Sequence, residues 1–156
     1  MRSDFIKDLL LGLACVIVQI VIFRHLKIFS VQADIVLLFI IWLMTQRDRT
    51  TVIIIAAILG FAHDALMDLW GLNMFANTLV AFLGYKYMPK NAESRLLTTQ
   101  VFLLILIVTL FHNIIFIGLA SFINSYATSL YIWYFLIGGS LYTALVGSIV
   151  YLFKIK

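Results

Sequence analysis

Charge is scarce in this chain. Lysine and arginine number 11 and aspartate and glutamate 7, together 12% of 156 residues, where a soluble domain carries about 25%. With 64% apolar residues, that scarcity excludes a water-soluble fold and points to one integral membrane domain spanning residues 1–156, with almost no sequence left over for a soluble one. The single proline, Pro89, clearly punctuates only one loop. The single cysteine, Cys15, cannot form an intrachain disulfide and, set in an apolar run, reads as a buried structural thiol. Strand alternation, low-complexity tracts and linkers are missing. So are G-x-S-x-G, a Walker-type glycine loop and H-E-x-x-H, so nothing supports catalysis and no cofactor is expected.

What the chain does have is a series of six apolar segments, the pattern of an all-α polytopic membrane protein. The first runs from about Phe5 to Phe23. No small-residue cleavage pattern follows it, so it is expected to be retained as a helix. The third covers Thr50 to Met67, the fourth Trp70 to Met88, the fifth Leu96 to Ile123 and the sixth Leu130 to Phe153. The second is weak: its purely apolar part, Ile35 to Met44, reaches a full span only with help from residues 28–34. Six transmembrane helices are therefore expected, with five plus a re-entrant segment as the open alternative.

Positive residues stay on the cytoplasmic side of a membrane. With the N-terminus inside, Arg2, Lys7, Arg47, Arg49, Lys86, Lys90, Arg95, Lys154 and Lys156 all fall in cytoplasmic segments, and only Arg24 and Lys27 face outward. Both termini are thus expected in the cytoplasm. In this threading Gln19, Asp34, His63, Asp64, Asp68, Asn73, Asn77, His112 and Asn113 all lie in the outer part of the membrane.

Spacing sorts these groups into faces. Gly60, Asp64, Asp68 and Gly71 follow helical steps, as do Asn73, Asn77, Ala81 and Gly84 on the next segment. A charge at membrane depth costs on the order of 3 kcal/mol on insertion scales, so such side chains seek protein partners. Small residues beside them let two helix backbones approach closely. The stretch GFAHDALMDLWGLN (Gly60 to Asn73) is therefore expected to be a tight helical hairpin. Its aspartates would tie the third and fourth helices to each other and to the loop bearing Arg24 and Lys27, with Asp68 alternatively a wet turn residue. Gly139, Thr143 and Gly147 recur every fourth position and read as a packing face, either within the protein or against a partner. His63, Asp64, Asp68 and His112 lack any metal-ligand spacing, and no metal is expected.

The array QADIVLLFIIWL (Gln32 to Leu43), a basic turn and ILGFAHDALMDLWGLNMFANTLVAFLGY (Ile58 to Tyr85) resembles the MreD family of bacterial rod-shape-determining membrane proteins. The family positions fall on Asp34, Gly60, Asp64, Gly71, Leu72, Asn73, Gly84 and Tyr85, with Ala33 standing where a proline is common. The resemblance implies a non-enzymatic adaptor of the cell-elongation complex in the bacterial inner membrane. Its implied partners are MreC, a RodA-type glycosyltransferase, a class B penicillin-binding transpeptidase, membrane lipids and, indirectly, MreB filaments. It also implies a six-helix architecture similar to the substrate-capturing subunits of energy-coupling-factor transporters. Docking would fall on helix faces, with the exposed small residues from Gly139 to Gly147 the leading candidate. The alternative function is a small-molecule, vitamin-like binding subunit of a transporter, using a polar pocket around Asp64, Asn73, Asn77 and Asn113. Against it, the first helix lacks repeated Ala-x-x-x-Ala spacing.

Overall fold

The computed structural model describes residues 2–23, 32–89, 97–122 and 132–155. Among these are six α-helices and no strand: α1 (Arg2–Val18), α2 (Ile35–Gln46), α3 (Arg49–Met67), α4 (Leu72–Gly84), α5 (Thr98–Phe122) and α6 (Gly139–Ile155). Wider π-type turns, Gln19–Phe23 and Tyr134–Gly138, extend α1 and precede α6, and a 3-10 turn, Tyr85–Tyr87, follows α4.

Local chemistry sets the helix boundaries. The Asp34 carboxylate accepts the backbone N–H of Leu37 and caps α2. Asp48 caps α3 by accepting the N–H of Thr51 at 3.1 Å and its hydroxyl at 2.8 Å. Those two donors, the backbone one foremost, hold the Asp48 carboxyl below the usual carboxylate range. The α3–α4 turn uses two left-handed residues, Asp68 at φ 56° and Gly71 at φ 83°. Gly71 suits its position because it has no Cβ to clash.

Length separates the helices into two kinds. Four stretches are long and apolar enough to cross a membrane: Asp4–Ile22, Arg49–Met67, Thr98–Phe122 and Tyr134–Phe153. By contrast α2 has 12 residues and α4 has 13, about 18 and 20 Å of helix against a hydrocarbon core of about 30 Å. The six expected helices are present among the described residues, and four of them have the length of a full span. The second segment is short because it is a core helix: Val36, Leu37, Phe39, Ile40, Ile41, Leu43 and Met44 are all buried, and only the face of Ile35, Leu38, Trp42 and Thr45 is partly open. A helix apolar over most of its surface is one largely enclosed by its neighbours. All six helices contribute to one apolar core around α2, from Val16 of α1 to Ala144 of α6. Two antiparallel pairs, α3 with α4 and α5 with α6, make the closest helix contacts.

Candidate functional site

Three polar clusters brace the helices, two toward one end of the bundle and one at the other. At the far end from most of the basic residues, Asp64 projects from the last turn of α3 onto the first turn of α4. Its Oδ1 accepts the backbone N–H of Asn73 at 3.0 Å and the side-chain amide of Asn73 at 2.9 Å. Its Oδ2 accepts the backbone N–H of Met74 at 2.8 Å. The first N–H groups of a helix have no partner within it, and the N-cap residue here is Gly71, whose missing side chain cannot supply one. A carboxylate from the preceding helix does so instead, at the end of α4 where the helix dipole favours negative charge. Asp64 and Asn73 are both buried.

Gly60 makes the approach close enough. A Cβ placed there would lie 2.5 Å from Met74 Cα and 2.7 Å from Met74 N, both backbone atoms that cannot swing aside. One turn apart on α3, Gly60 thus sets the spacing of the two helices and Asp64 sets their register.

A second clasp holds the start of α2. Gln19, buried at the start of the π-type turn that extends α1, donates its amide to the Ala33 carbonyl at 2.9 Å and accepts the Ile35 N–H at 2.8 Å. The Asp34 N–H donates to Thr143 Oγ1 of α6 at 3.0 Å. Nearby, Asn113 of α5 donates to Ser140 Oγ of α6 at 3.1 Å. His112 places Nδ1 3.4 Å from Asn113 Oδ1. His112 Nε2 and Asn77 Oδ1 are buried without a hydrogen-bond partner among the described residues.

At the basic end, Asp8 of α1 accepts Arg47 Nε at 2.6 Å and Nη2 at 3.4 Å. That hydrogen bond is the main reason the guanidinium is held above its ordinary range. The Tyr85 hydroxyl donates to the Arg47 carbonyl at 2.9 Å. Arg49 donates to the Phe82 carbonyl at 3.0 Å and lies 4.3 Å from the centre of the Phe82 ring. The turn between α2 and α3 is therefore pinned to α1 on one side and to the end of α4 on the other. Its two ends are unequal, since the Asp8 side chain is 9% exposed and that of Arg47 35%. Arg47→Ala strands a buried carboxylate and is expected to be the more destabilising of the two. Asp8→Asn leaves a cation that still reaches water and is expected to cost less. Chemical denaturation of the purified variants in detergent checks the order.

The other residues singled out from the sequence fall in varied places. Asp68 is exposed and ends α3 in the left-handed region, which matches a wet turn residue rather than an inter-helix tie. Asp68→Gly is expected to hold stability or raise it by up to about 1 kcal/mol, because glycine enters that region without a Cβ penalty; a fall in the thermal midpoint would contradict this. Gly84 meets only the end of the Met44 side chain, Sδ at 3.9 Å and Cε at 4.0 Å from a built Cβ, so no close approach requires it. Gly139, Thr143 and Gly147 are buried. A Cβ on Gly147 would lie 2.6 Å from Leu38 Cδ2 and 2.7 Å from Ile105 Cδ1. This corrects the expectation of an exposed docking face: the small residues admit α2 and α5, since α2 sits at the centre of the bundle. The expected link to Arg24 and Lys27 lies outside the described residues. Among the described residues no three His, Cys, Asp or Glu side chains converge in a metal-binding set.

One of the bracing residues escapes sequence reasoning. Asp8 is one acid in a mixed N-terminal stretch, and nothing local shows that it faces inward. Gln19 does not escape it: the threading sets it in the outer part of the membrane, and a lone amide in an apolar helix must find partners at that depth.

Comparison with known families decides what this bundle is. The family model for rod shape-determining protein MreD matches residues 3–155, nearly the whole chain. The chain belongs to the MreD family. No curated protein and no solved structure matches it. In this member of the MreD family, the motif positions Gly60, Asp64, Gly71 and Asn73 are the ones that build the α3–α4 clasp.

Proposed function

We propose that this MreD family protein is a non-enzymatic adaptor of the bacterial cell-elongation complex. It would lie in the inner membrane as a single multi-pass domain with both termini in the cytoplasm. Its partners would be MreC, a RodA-type glycosyltransferase and a class B penicillin-binding transpeptidase, with MreB filaments reached through them. The observation that carries the reading is the match to the MreD family from residue 3 to 155. The fold supports it physically: the turns between α2 and α3 and between α3 and α4 are short, so recognition there falls to helix faces. Outward faces such as Leu103, Ile107 and Ile114 of α5 and Leu141, Leu145 and Ile149 of α6 are apolar and exposed, unlike the inward Gly139–Gly147 stripe.

The test is purification of the tagged full chain from a rod-shaped host in mild detergent, with photo-crosslinkers at Ile107 and Leu145 and at buried Thr143 as control. The reading expects MreC and the peptidoglycan synthases to co-purify, with crosslinks from the outward positions alone. Absence of these proteins, together with a co-purifying vitamin-like molecule, overturns it in favour of a transporter subunit with an architecture like that of substrate-capturing subunits. The unpartnered Asn77 Oδ1 and His112 Nε2 are the one observation favouring that second reading. Asp64 does not add to it, because three donors of α4 already occupy its oxygens.

A further inference from the structure

A cavity of about 470 Å³ runs along one side of α2. Its floor is the α2 face formed by Ile35, Leu38, Trp42 and Thr45; α1 supplies one wall through Leu11 and Cys15, and α5 and α6 together the other, through Leu104 and Val150. The lining is almost wholly apolar, and the Thr45 hydroxyl donates back to the Trp42 carbonyl of its own helix at 2.7 Å. At the rim, Leu11 is 54% and Val150 60% exposed, so the groove opens sideways, toward the bilayer in a membrane-embedded chain.

We propose that this groove holds one acyl chain of an anionic phospholipid. The first argument is size. Spread along α2 from Ile35 to Thr45, about 15 Å of helix rise, the volume gives a cross-section of roughly 30 Å². A cross-section of that order accommodates a single extended alkyl chain lying along α2. The second argument is charge. Lys7 is exposed and lies one helical turn before Leu11, on the same stripe of α1 and beyond the groove's end at Thr45. Its side chain leans toward the N-terminus of its helix, where a lipid phosphate would sit. Lys86, also exposed, precedes by two residues the groove-lining Met88. The groove exists because the outer face of α2 is left uncovered, a slot between α1 on one side and α5 and α6 on the other for lipid to fill. The inference rests on the chain lying in a bilayer and not on the identity of its protein partners.

The test reconstitutes the full chain in nanodiscs with equal amounts of phosphatidylglycerol and phosphatidylcholine, each carrying a diazirine in one acyl chain, and maps the photolabelled peptides. Labelling is expected to concentrate on residues 11–15, 35–45, 101–105 and 147–151, with phosphatidylglycerol favoured about fivefold. Val150→Trp and Leu11→Trp each fill the rim at a side chain already more than half exposed and should lower groove labelling at least about fivefold. Lys7→Glu should abolish the headgroup preference. Groove labelling no stronger than that of the outward α5 face at Ile107, or unchanged by both tryptophan variants, overturns the site. Equal labelling by the two lipids in the wild type overturns its anionic selectivity. Crosslinks from the groove to a partner's membrane helix in cells overturn the lipid as occupant.

Discussion

Asp64→Leu is expected to destabilise the protein by about 2–5 kcal/mol, because it removes the acceptor of two backbone N–H groups at the buried start of α4 and offers nothing in its place. Leucine fits the apolar surroundings, so the loss reads the missing hydrogen bonds and not a cavity. Asp64→Asn discriminates further. Its one carbonyl oxygen can still accept from Asn73, but its amide then meets the Met74 N–H donor to donor, so an intermediate loss of about 1–2 kcal/mol is expected. Thermal midpoints in detergent check the order wild type, Asn, Leu. If the adaptor reading is right, loss of rod shape on complementation follows the same order. Full stability of the leucine variant with normal rods would show that the carboxylate is idle.

Gly60→Leu carries the other large effect. The first side-chain carbon already meets the Met74 backbone at 2.5 Å, so α3 and α4 must separate before any larger side chain enters. Overpacking of this kind costs about 1–3 kcal/mol in a soluble core. Here the cost is expected at or above that upper end, since separation also stretches the Asp64 hydrogen bonds. Even Gly60→Ala is expected to lower the thermal midpoint measurably. Gly84→Ala is the matched control on the partner helix: its nearest neighbour is 3.9 Å away, and a change within about 0.5 kcal/mol is expected. Equal effects at the two glycines would mean that the close crossing at Gly60 does not exist in solution.

The α3–α4 hairpin is the part most legible in the sequence. An acid and a glycine one turn apart in an apolar helix have few physical outlets, and close helix contact with a bonded carboxylate is the main one. What the sequence could not convey was the partner's nature: Asp64 was expected to bond across a gap, and it does so chiefly to backbone N–H groups, because Gly71 leaves α4 without a side-chain cap. Asp68 has the same charge and nearly the same spacing, yet lies past the helix end, where four residues of register change a buried clasp into a turn. The small-residue stripe of α6 was legible as a packing face but not as an inward one. Periodicity identifies a face and is silent about what covers it. The weakness of the second segment was itself the signal for a core helix, since ten apolar residues from Ile35 to Met44 are too few to span and enough to bury.

Backbone hydrogen exchange of the purified full-length protein, read at Asn73 and Met74, tests the clasp most directly. The wild type should protect both amides as strongly as the middle of α4, and Asp64→Leu should expose them while leaving Ile40 and Leu43 of α2 protected. Fast exchange at Asn73 and Met74 in the wild type, or unchanged protection once the carboxylate is gone, would contradict the account.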